Sequence, residues 1–189
     1  IKVGEEQAAP AAPAPNVPAP GGGGGFELGG HIRTWNYVTQ MQHAGMTWAK
    51  AQVHYGQDAS GLVQTAHANG LKIQLSALGS PNMVTQPNFH ADYTAWVASL
   101  ARAGADAIEV WNEPNIEREW QIGQINPEAY TQLLCASYNA IKGANANTSV
   151  ISAAPAPTGY FGGCSGNGCD DLPWLQGMYN AGAANCMDY

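Results

Sequence analysis

The segment of greatest chemical interest is residues 108–115, in which an apolar run ends in Trp-Asn-Glu-Pro-Asn. Glu113 lies in this segment between Asn112 and Pro114, with Trp111 two residues before it. An apolar aromatic wall disfavours the ionised form of a carboxylic acid, so that such an acid can donate a proton near neutral pH. Pro114 restricts the backbone after the acid. The segment therefore predicts a general acid, with the neighbouring amide ready to hydrogen-bond a hydroxyl of the reacting molecule.

Polar and aromatic side chains also follow the other apolar runs of the chain, where a simple loop would carry Gly, Ser or Asp for turning. They are His31 and Arg33, His54 and Tyr55, and Ser76. We expect His31, His54 and Tyr55 to line the same pocket as Glu113, although a histidine at the end of a strand is as often a hydrogen-bonded core residue. Trp111 either contacts the ligand or caps the core, and Trp120 is predicted to be a platform on which a ligand stacks.

The elements that position these residues recur along the chain as a helical run, a Gly- or Asn-containing end and a short β-rich run. The predicted helices cover residues 35–44, 59–68, 89–103, 127–142 and 172–181. The predicted strands cover residues 26–32, 46–53, 71–77, 106–111 and 148–154, with a sixth beginning at 186–189. They are read as near-continuous apolar runs, which is typical of parallel strands covered by helices.

Strict alternation of strands and helices leaves two parallel α/β architectures, a doubly wound sheet and a (β/α)8 TIM barrel. A dinucleotide-binding sheet would carry Gly-x-Gly-x-x-Gly after its first strand, and Gly29-Gly30-His31 does not match. The pattern favours the barrel, of which about the first strand to the start of the sixth is present. The carboxyl ends of barrel strands meet at one face, where active sites lie.

Asn112-Glu113-Pro114 after a fourth strand resembles the acid/base motif of the retaining glycoside hydrolases of clan A, and Trp-Asn-Glu-Pro-Asn is similar to the form in families 5 and 39. The resemblance implies that Glu113 protonates a leaving glycosidic oxygen and that Asn112 binds the sugar 2-hydroxyl. It also implies a nucleophilic Glu at the end of a seventh strand, beyond Tyr189. We therefore expect the chain alone to be inactive.

Two other functions are alternatives to hydrolysis by two carboxylates. The alternative is a non-catalytic, polysaccharide-binding or structural cell-surface module built on the same fold. A metal-dependent hydrolase would need His-x-His after the first strand, and only His31 is there. We expect neither a metal nor another cofactor.

The composition indicates which partners to expect. Of 189 residues, 11% are charged, and 14 acidic residues stand against 7 basic ones. This balance argues against nucleic acid, which requires clustered Lys and Arg. No apolar run reaches the roughly 20 residues of a membrane-spanning helix. A neutral carbohydrate is the partner that this composition fits.

The four cysteines bear on the compartment. Cys164 and Cys169 flank a Ser-Gly-Asn-Gly loop, and their spacing favours a disulfide over a zinc site. For Cys135 and Cys186, free thiols and a bridge are equally compatible with the sequence. A disulfide indicates an extracellular or cell-surface location.

Residues 1–25 differ in composition from the rest. Residues 8–20 alternate Ala and Pro, and residues 21–25 are all Gly, which predicts a linker. Residues 1–6 look like the last strand of a LysM peptidoglycan-binding module, so the linker is expected to follow a wall-binding module. Residues 26–189 are then the amino-terminal part of the barrel.

Limited proteolysis tests this division. We expect brief digestion to cut between about residues 8 and 25 and to leave a resistant core that begins near Phe26, because linkers are the preferred sites of cleavage. Mass spectrometry of the resistant fragment gives its first residue. Protection of the whole stretch would contradict the linker.

Overall fold

The computed structural model describes residues 26–189, and the predicted linker and LysM-like segment lie outside them. Its strands are β1 Gly29–His31, β2 Trp48–His54, β3 Lys72–Leu78, β4 Ala107–Val110, β5 Ser149–Ser152, β6 Cys164–Ser165 and β7 Gly168–Cys169. Its α-helices are α1 Val38–His43, α2 Ser60–Ala68, α3 Phe89–Arg102, α4 Pro127–Ala144 and α5 Asp171–Asn180. Short 3₁₀ turns lie at Pro81–Met83 and Ala183–Asn185.

Strands β1 to β5 form one parallel sheet in chain order. A helix separates each strand of this sheet from the next. The α/β class and the predicted alternation are therefore confirmed. The carboxyl ends of β2 to β5 lie along one edge, which we call the carboxyl edge, and β1 stops short of it.

The elements differ from the predicted ones mainly at the two ends of the described chain. β1 and α1 are shorter than expected. Residues 186–189 are not a strand, yet the Tyr189 N–H donates to the Val150 carbonyl and the Ser152 N–H donates to the Tyr189 carbonyl, at 3.3 and 3.0 Å. These are the two bonds of a parallel ladder around one residue. The segment thus pairs with β5 without extending into a strand.

The two faces of the sheet differ in chemistry. Side chains such as Ile73, Leu75 and Ile108 face the helices and are fully buried in the core. Alternate positions, including Lys50 and Gln74, face the other way. The expectation of near-continuous apolar strands was therefore wrong for β2 and β3, which carry polar residues at every second position.

Glu109 belongs to the polar face, which the sequence left undecided. Its carboxylate is buried and accepts hydrogen bonds from Ser76 and from Gln74, the latter at 3.4 Å. Lys50 Nζ lies 2.5 Å from it. A buried charge requires such partners because desolvation of an unpaired carboxylate is costly. Glu109 is therefore a structural residue, which pairs with Lys50 on the polar face of the sheet.

Two disulfides are present. Cys164–Cys169 is confirmed and closes a two-stranded antiparallel hairpin, β6–β7, within the loop between β5 and α5. Cys135–Cys186 resolves the second pair as a bridge that joins α4 to the segment after α5. Disulfides persist in oxidising environments, so the pairing is consistent with a protein outside the reducing cytosol.

Two buried tyrosines connect the helices to the carboxyl edge. Tyr93 of α3 donates its hydroxyl to the Ala77 carbonyl at 2.6 Å and accepts from the Trp111 N–H at 3.1 Å. Tyr130 of α4 donates to the Val110 carbonyl at 2.8 Å and accepts from the Ala153 N–H at 2.6 Å. Burial raises the pKa of both tyrosine hydroxyls, so both remain protonated donors.

Tyr130→Phe tests the contribution of this bridge. Removal of the hydroxyl leaves two backbone groups without that partner in the core, so we expect the free energy of unfolding to fall by about 1–3 kcal/mol. Tyr138→Phe on the same helix, at a half-buried position, is the matched control and should change stability by less than about 0.5 kcal/mol. Urea unfolding measures both. Equal midpoints for the two variants would contradict a structural role for the Tyr130 hydroxyl.

Candidate active site

The candidate site is built on the turn that follows β4. Trp111 and Glu113 have φ angles of +74° and +42° and are the two non-glycine residues with positive φ among residues 26–189. This left-handed region is unfavourable for residues with a side chain, and a residue before proline normally prefers extended backbone. The turn is therefore strained at both residues that flank Asn112.

Several hydrogen bonds hold the strained turn in place. The Trp111 N–H lies 3.1 Å from both the Ala77 carbonyl and the Tyr93 hydroxyl. Its indole N–H donates to the Glu119 carbonyl at 2.8 Å. The Glu113 N–H donates to the Ala154 carbonyl at 3.2 Å. Contacts to the ends of both neighbouring strands thus fix the direction in which Glu113 leaves the sheet.

The tryptophans predicted to contact a ligand lie in the core. Trp111 and Trp120 are each 1% exposed, with ring centroids 5.1 Å apart. Phe89 packs edge-on against both rings, at 5.9 and 6.1 Å. An exposed stacking platform at Trp120 was therefore a wrong expectation, because the ring is enclosed by other aromatic side chains. Of the two roles considered for Trp111, capping the core is the one that this burial supports.

Gly79 is a site residue that the sequence analysis missed. It follows β3, and a Cβ atom there would lie 2.1 Å from two atoms of the Trp111 indole. Only glycine leaves room for this ring at the carboxyl edge. One glycine after a strand is common in turns, so no sequence signal distinguished it.

Glu113 itself is partly accessible, with its side chain 26% exposed, and Asn112 beside it is half-buried. The Glu113 carboxylate accepts a hydrogen bond from Arg118, which also donates to Glu119 at 3.1 Å. The hydrogen bond to Glu119 and the charges of both carboxylates raise the pKa of Arg118 above its usual value. Arg118 is 68% exposed. The Glu113 carboxylate is therefore engaged in an ion pair at the protein surface.

Asn115, also missed, joins the Glu113 turn to the loop after β5. Its side-chain amide donates to the Ala156 and Cys169 carbonyls, both at 3.0 Å, and its amide oxygen accepts from the Ala156 N–H at 2.7 Å. The side chain is completely buried. The second Asn of Trp-Asn-Glu-Pro-Asn thus fixes two loops of the carboxyl edge against each other.

Of the remaining predicted residues, His54 and Tyr55 lie at the carboxyl edge and His31 does not. None of the three is hydrogen-bonded to Glu113 in the described part of the chain. His54 ends β2 and is exposed. Tyr55 packs edge-on against Trp96 at 5.6 Å and lines a cavity of about 270 Å³ together with Phe89 and Asp92. His31 ends β1 beside Lys50 and lines a larger cavity, of about 750 Å³, at the amino ends of the strands, where Trp48, Lys72 and Ala107 lie. The expectation that His31 lines the same pocket as Glu113 was therefore wrong, because β1 ends well before the carboxyl ends of its neighbours.

No group of three His, Cys, Asp or Glu side chains in residues 26–189 is arranged to hold a metal ion. None of the helices in this range is long and apolar enough to cross a membrane. Neither a scan against protein-family models nor a search of curated proteins found a match to this chain.

Gly79→Ala tests the link between the β3 end and the Glu113 turn. The added Cβ must displace the Trp111 ring, so we expect about 1–3 kcal/mol of destabilisation, with a changed near-ultraviolet circular dichroism signal from the aromatic cluster. Gly61→Ala is the control, since no atom lies within 4 Å of a Cβ in this position on α2. It should leave the spectrum unchanged and should be neutral or slightly stabilising. An unchanged aromatic signal in Gly79→Ala would contradict the proposed packing.

Proposed function

We propose that this chain is the amino-terminal part of a (β/α)8 barrel that hydrolyses O-glycosidic bonds in a poly- or oligosaccharide with retention of configuration. Glu113 is the acid/base in this proposal. The nucleophile belongs to a later strand of the barrel, after residue 189. The parallel order of β1 to β5 and the pairing of Tyr189 with β5 support a sheet that continues.

The observation that carries the proposal is the strained turn at residues 111–113. Two non-glycine residues with positive φ cost about 1–3 kcal/mol each, and such strain concentrates at functional sites. Folding alone does not require a glutamate there, because glycine or asparagine would turn the chain at lower cost. The surrounding hydrogen bonds compensate for this strain and keep a carboxyl group at the carboxyl edge, where barrel enzymes bind substrate.

The chemistry assigned to Glu113 has two steps. The protonated carboxyl gives its proton to the leaving glycosidic oxygen, and the resulting carboxylate then takes a proton from the water that releases the sugar. The half-buried Asn112 amide hydrogen-bonds the sugar 2-hydroxyl. The Arg118 guanidinium occupies the Glu113 carboxylate, so Arg118 must turn away when substrate binds. Its exposed position on the loop after β4 leaves it free to do so.

The partner follows from the same proposal. A neutral carbohydrate fits a surface with few charged groups, and the two disulfides support an extracellular or cell-surface location. Association with a cell wall through a module before residue 25 completes this interpretation.

The Arg118 ion pair favours a second candidate function, a non-catalytic module that binds polysaccharide. In such a module Glu113 stays paired with Arg118, and hydrolysis does not occur. The two functions differ in one measurement: an enzyme releases reducing ends from the polymer that it binds, and a binding module does not.

Glu113→Gln in the full-length protein tests the proposal. The variant keeps the shape of the side chain and removes its proton, so activity on an unactivated polysaccharide should fall by about 10²–10⁴-fold. An aryl glycoside with an activated leaving group hardly requires protonation, so its first step should be largely retained. Added azide should then restore turnover, because it attacks the glycosyl-enzyme without a base.

Glu117→Gln is the matched control, since Glu117 is exposed on the same loop. It should retain wild-type kcat/KM on both substrates. Near-normal hydrolysis of the unactivated polymer by Glu113→Gln would overturn the assignment.

A further inference from the structure

An exposed aromatic pair lies on the loop between β5 and α5. Tyr160 is 74% exposed, and its ring packs against that of Phe161 with centroids 4.3 Å apart and planes tilted by 37°. This loop follows β5 at the carboxyl edge, and β5 is the neighbour of β4, after which Glu113 lies. Trp111 and Trp120 of the preceding loop are buried, whereas the Tyr160 ring is open to a ligand.

Hydrogen bonds and close packing hold the Tyr160–Phe161 pair in place. The Asp170 carboxylate accepts hydrogen bonds from the Phe161 and Gly163 N–H groups, both at 2.9 Å. These two bonds, the first above all, hold the pKa of Asp170 below its usual value. The Phe161 ring packs so closely on Gly168 that a Cβ there would lie 2.1 Å from it. The β6–β7 hairpin therefore restricts the position of the Phe161 ring, and the Phe161 ring in turn packs against Tyr160.

The same hairpin is attached to the Glu113 turn. The Cys169 N–H donates to the Asn115 carbonyl at 2.9 Å, and the Asn115 amide returns a bond to the Cys169 carbonyl. Further along, the Gly123 N–H donates to the Gly166 carbonyl at 2.6 Å. The Cys164–Cys169 disulfide closes the hairpin between these contacts. The aromatic pair and the candidate acid are thus fixed on one connected framework.

We propose that Tyr160, supported by Phe161, is a stacking platform for a neutral pyranose unit of the polysaccharide whose bond reaches Glu113. A pyranose ring presents a flat face of C–H groups, which packs on the face of an aromatic ring and leaves its hydroxyls at the rim. A side chain that is held rigid before binding loses less conformational entropy when it binds. This proposal assigns a binding residue to the proposed glycoside hydrolase and rests on that proposed function.

Affinity electrophoresis measures the platform without any need for hydrolysis. The full-length protein is run in native gels that contain hydroxyethylcellulose, xyloglucan, arabinoxylan, mixed-linkage β-glucan or galactomannan. We expect at least one polymer to retard the wild type, and Tyr160→Ala to weaken binding to it by about tenfold or more. Tyr160→Phe should bind like the wild type, because the ring face remains.

Tyr179→Ala is the matched control, since Tyr179 is 72% exposed but lies on α5, away from the loop. It should bind like the wild type. Gly168→Ala should weaken binding although Tyr160 is intact, because the new Cβ displaces Phe161. Circular dichroism and thermal melting confirm that each variant is folded.

Equal retardation of Tyr160→Ala and Tyr179→Ala in every polymer, or no retardation of the wild type in any, would overturn the platform. Loss of self-association in Tyr160→Ala without a change in polymer binding would mean that the pair is a protein interface, and would overturn it too. The two proposals fail separately. If Tyr160→Ala binds weakly and Glu113→Gln keeps full activity, the binding site stands and the assignment of the acid fails. If Tyr160→Ala binds normally and Glu113→Gln loses activity, the acid stands and only the platform fails.

Discussion

The carboxyl edge depends on tyrosine hydroxyls placed between neighbouring strand ends. Where parallel strands stop pairing, their backbone N–H and C=O groups need new partners inside the core. Tyr93 supplies one between β3 and the residue after β4, and Tyr130 supplies one between β4 and the residue after β5. Each hydroxyl both donates and accepts. The helices α3 and α4 therefore hold the ends of β3, β4 and β5, and with them the points at which the loops after β4 and β5 begin.

The Glu113 turn follows from this arrangement. Trp111 is held by Tyr93 on one side and by its indole bond to Glu119 on the other, and its ring occupies the space that Gly79 leaves open. With Trp111 fixed and Asn115 anchored to the loop after β5, the three residues between them have little freedom. A buried aromatic layer thus supports a partly accessible carboxyl group. The energetic cost of the positive φ angles is distributed over many contacts.

The alternation of strands and helices was predictable because both have clear periods and Gly or Asn ends each helix. The Cys164–Cys169 bridge was predictable from its spacing. The hairpin was not, since strands of two residues have no period. Trp120 lies in a loop, and loop position suggests exposure, yet Phe89 and Trp111 enclose it. The orientation of Glu109 depends on Lys50, two strands away, which local sequence does not reveal.

The Glu113 carboxyl, fixed in the turn after β4, is proposed to act on a glycosidic bond. The most direct test is a crystal structure of the full-length protein with a thio-linked oligosaccharide, which resists hydrolysis. We expect the bridging sulfur within about 3.5 Å of the Glu113 carboxyl, with Arg118 turned away from it. An oligosaccharide bound elsewhere, with the Glu113–Arg118 ion pair intact, would contradict it.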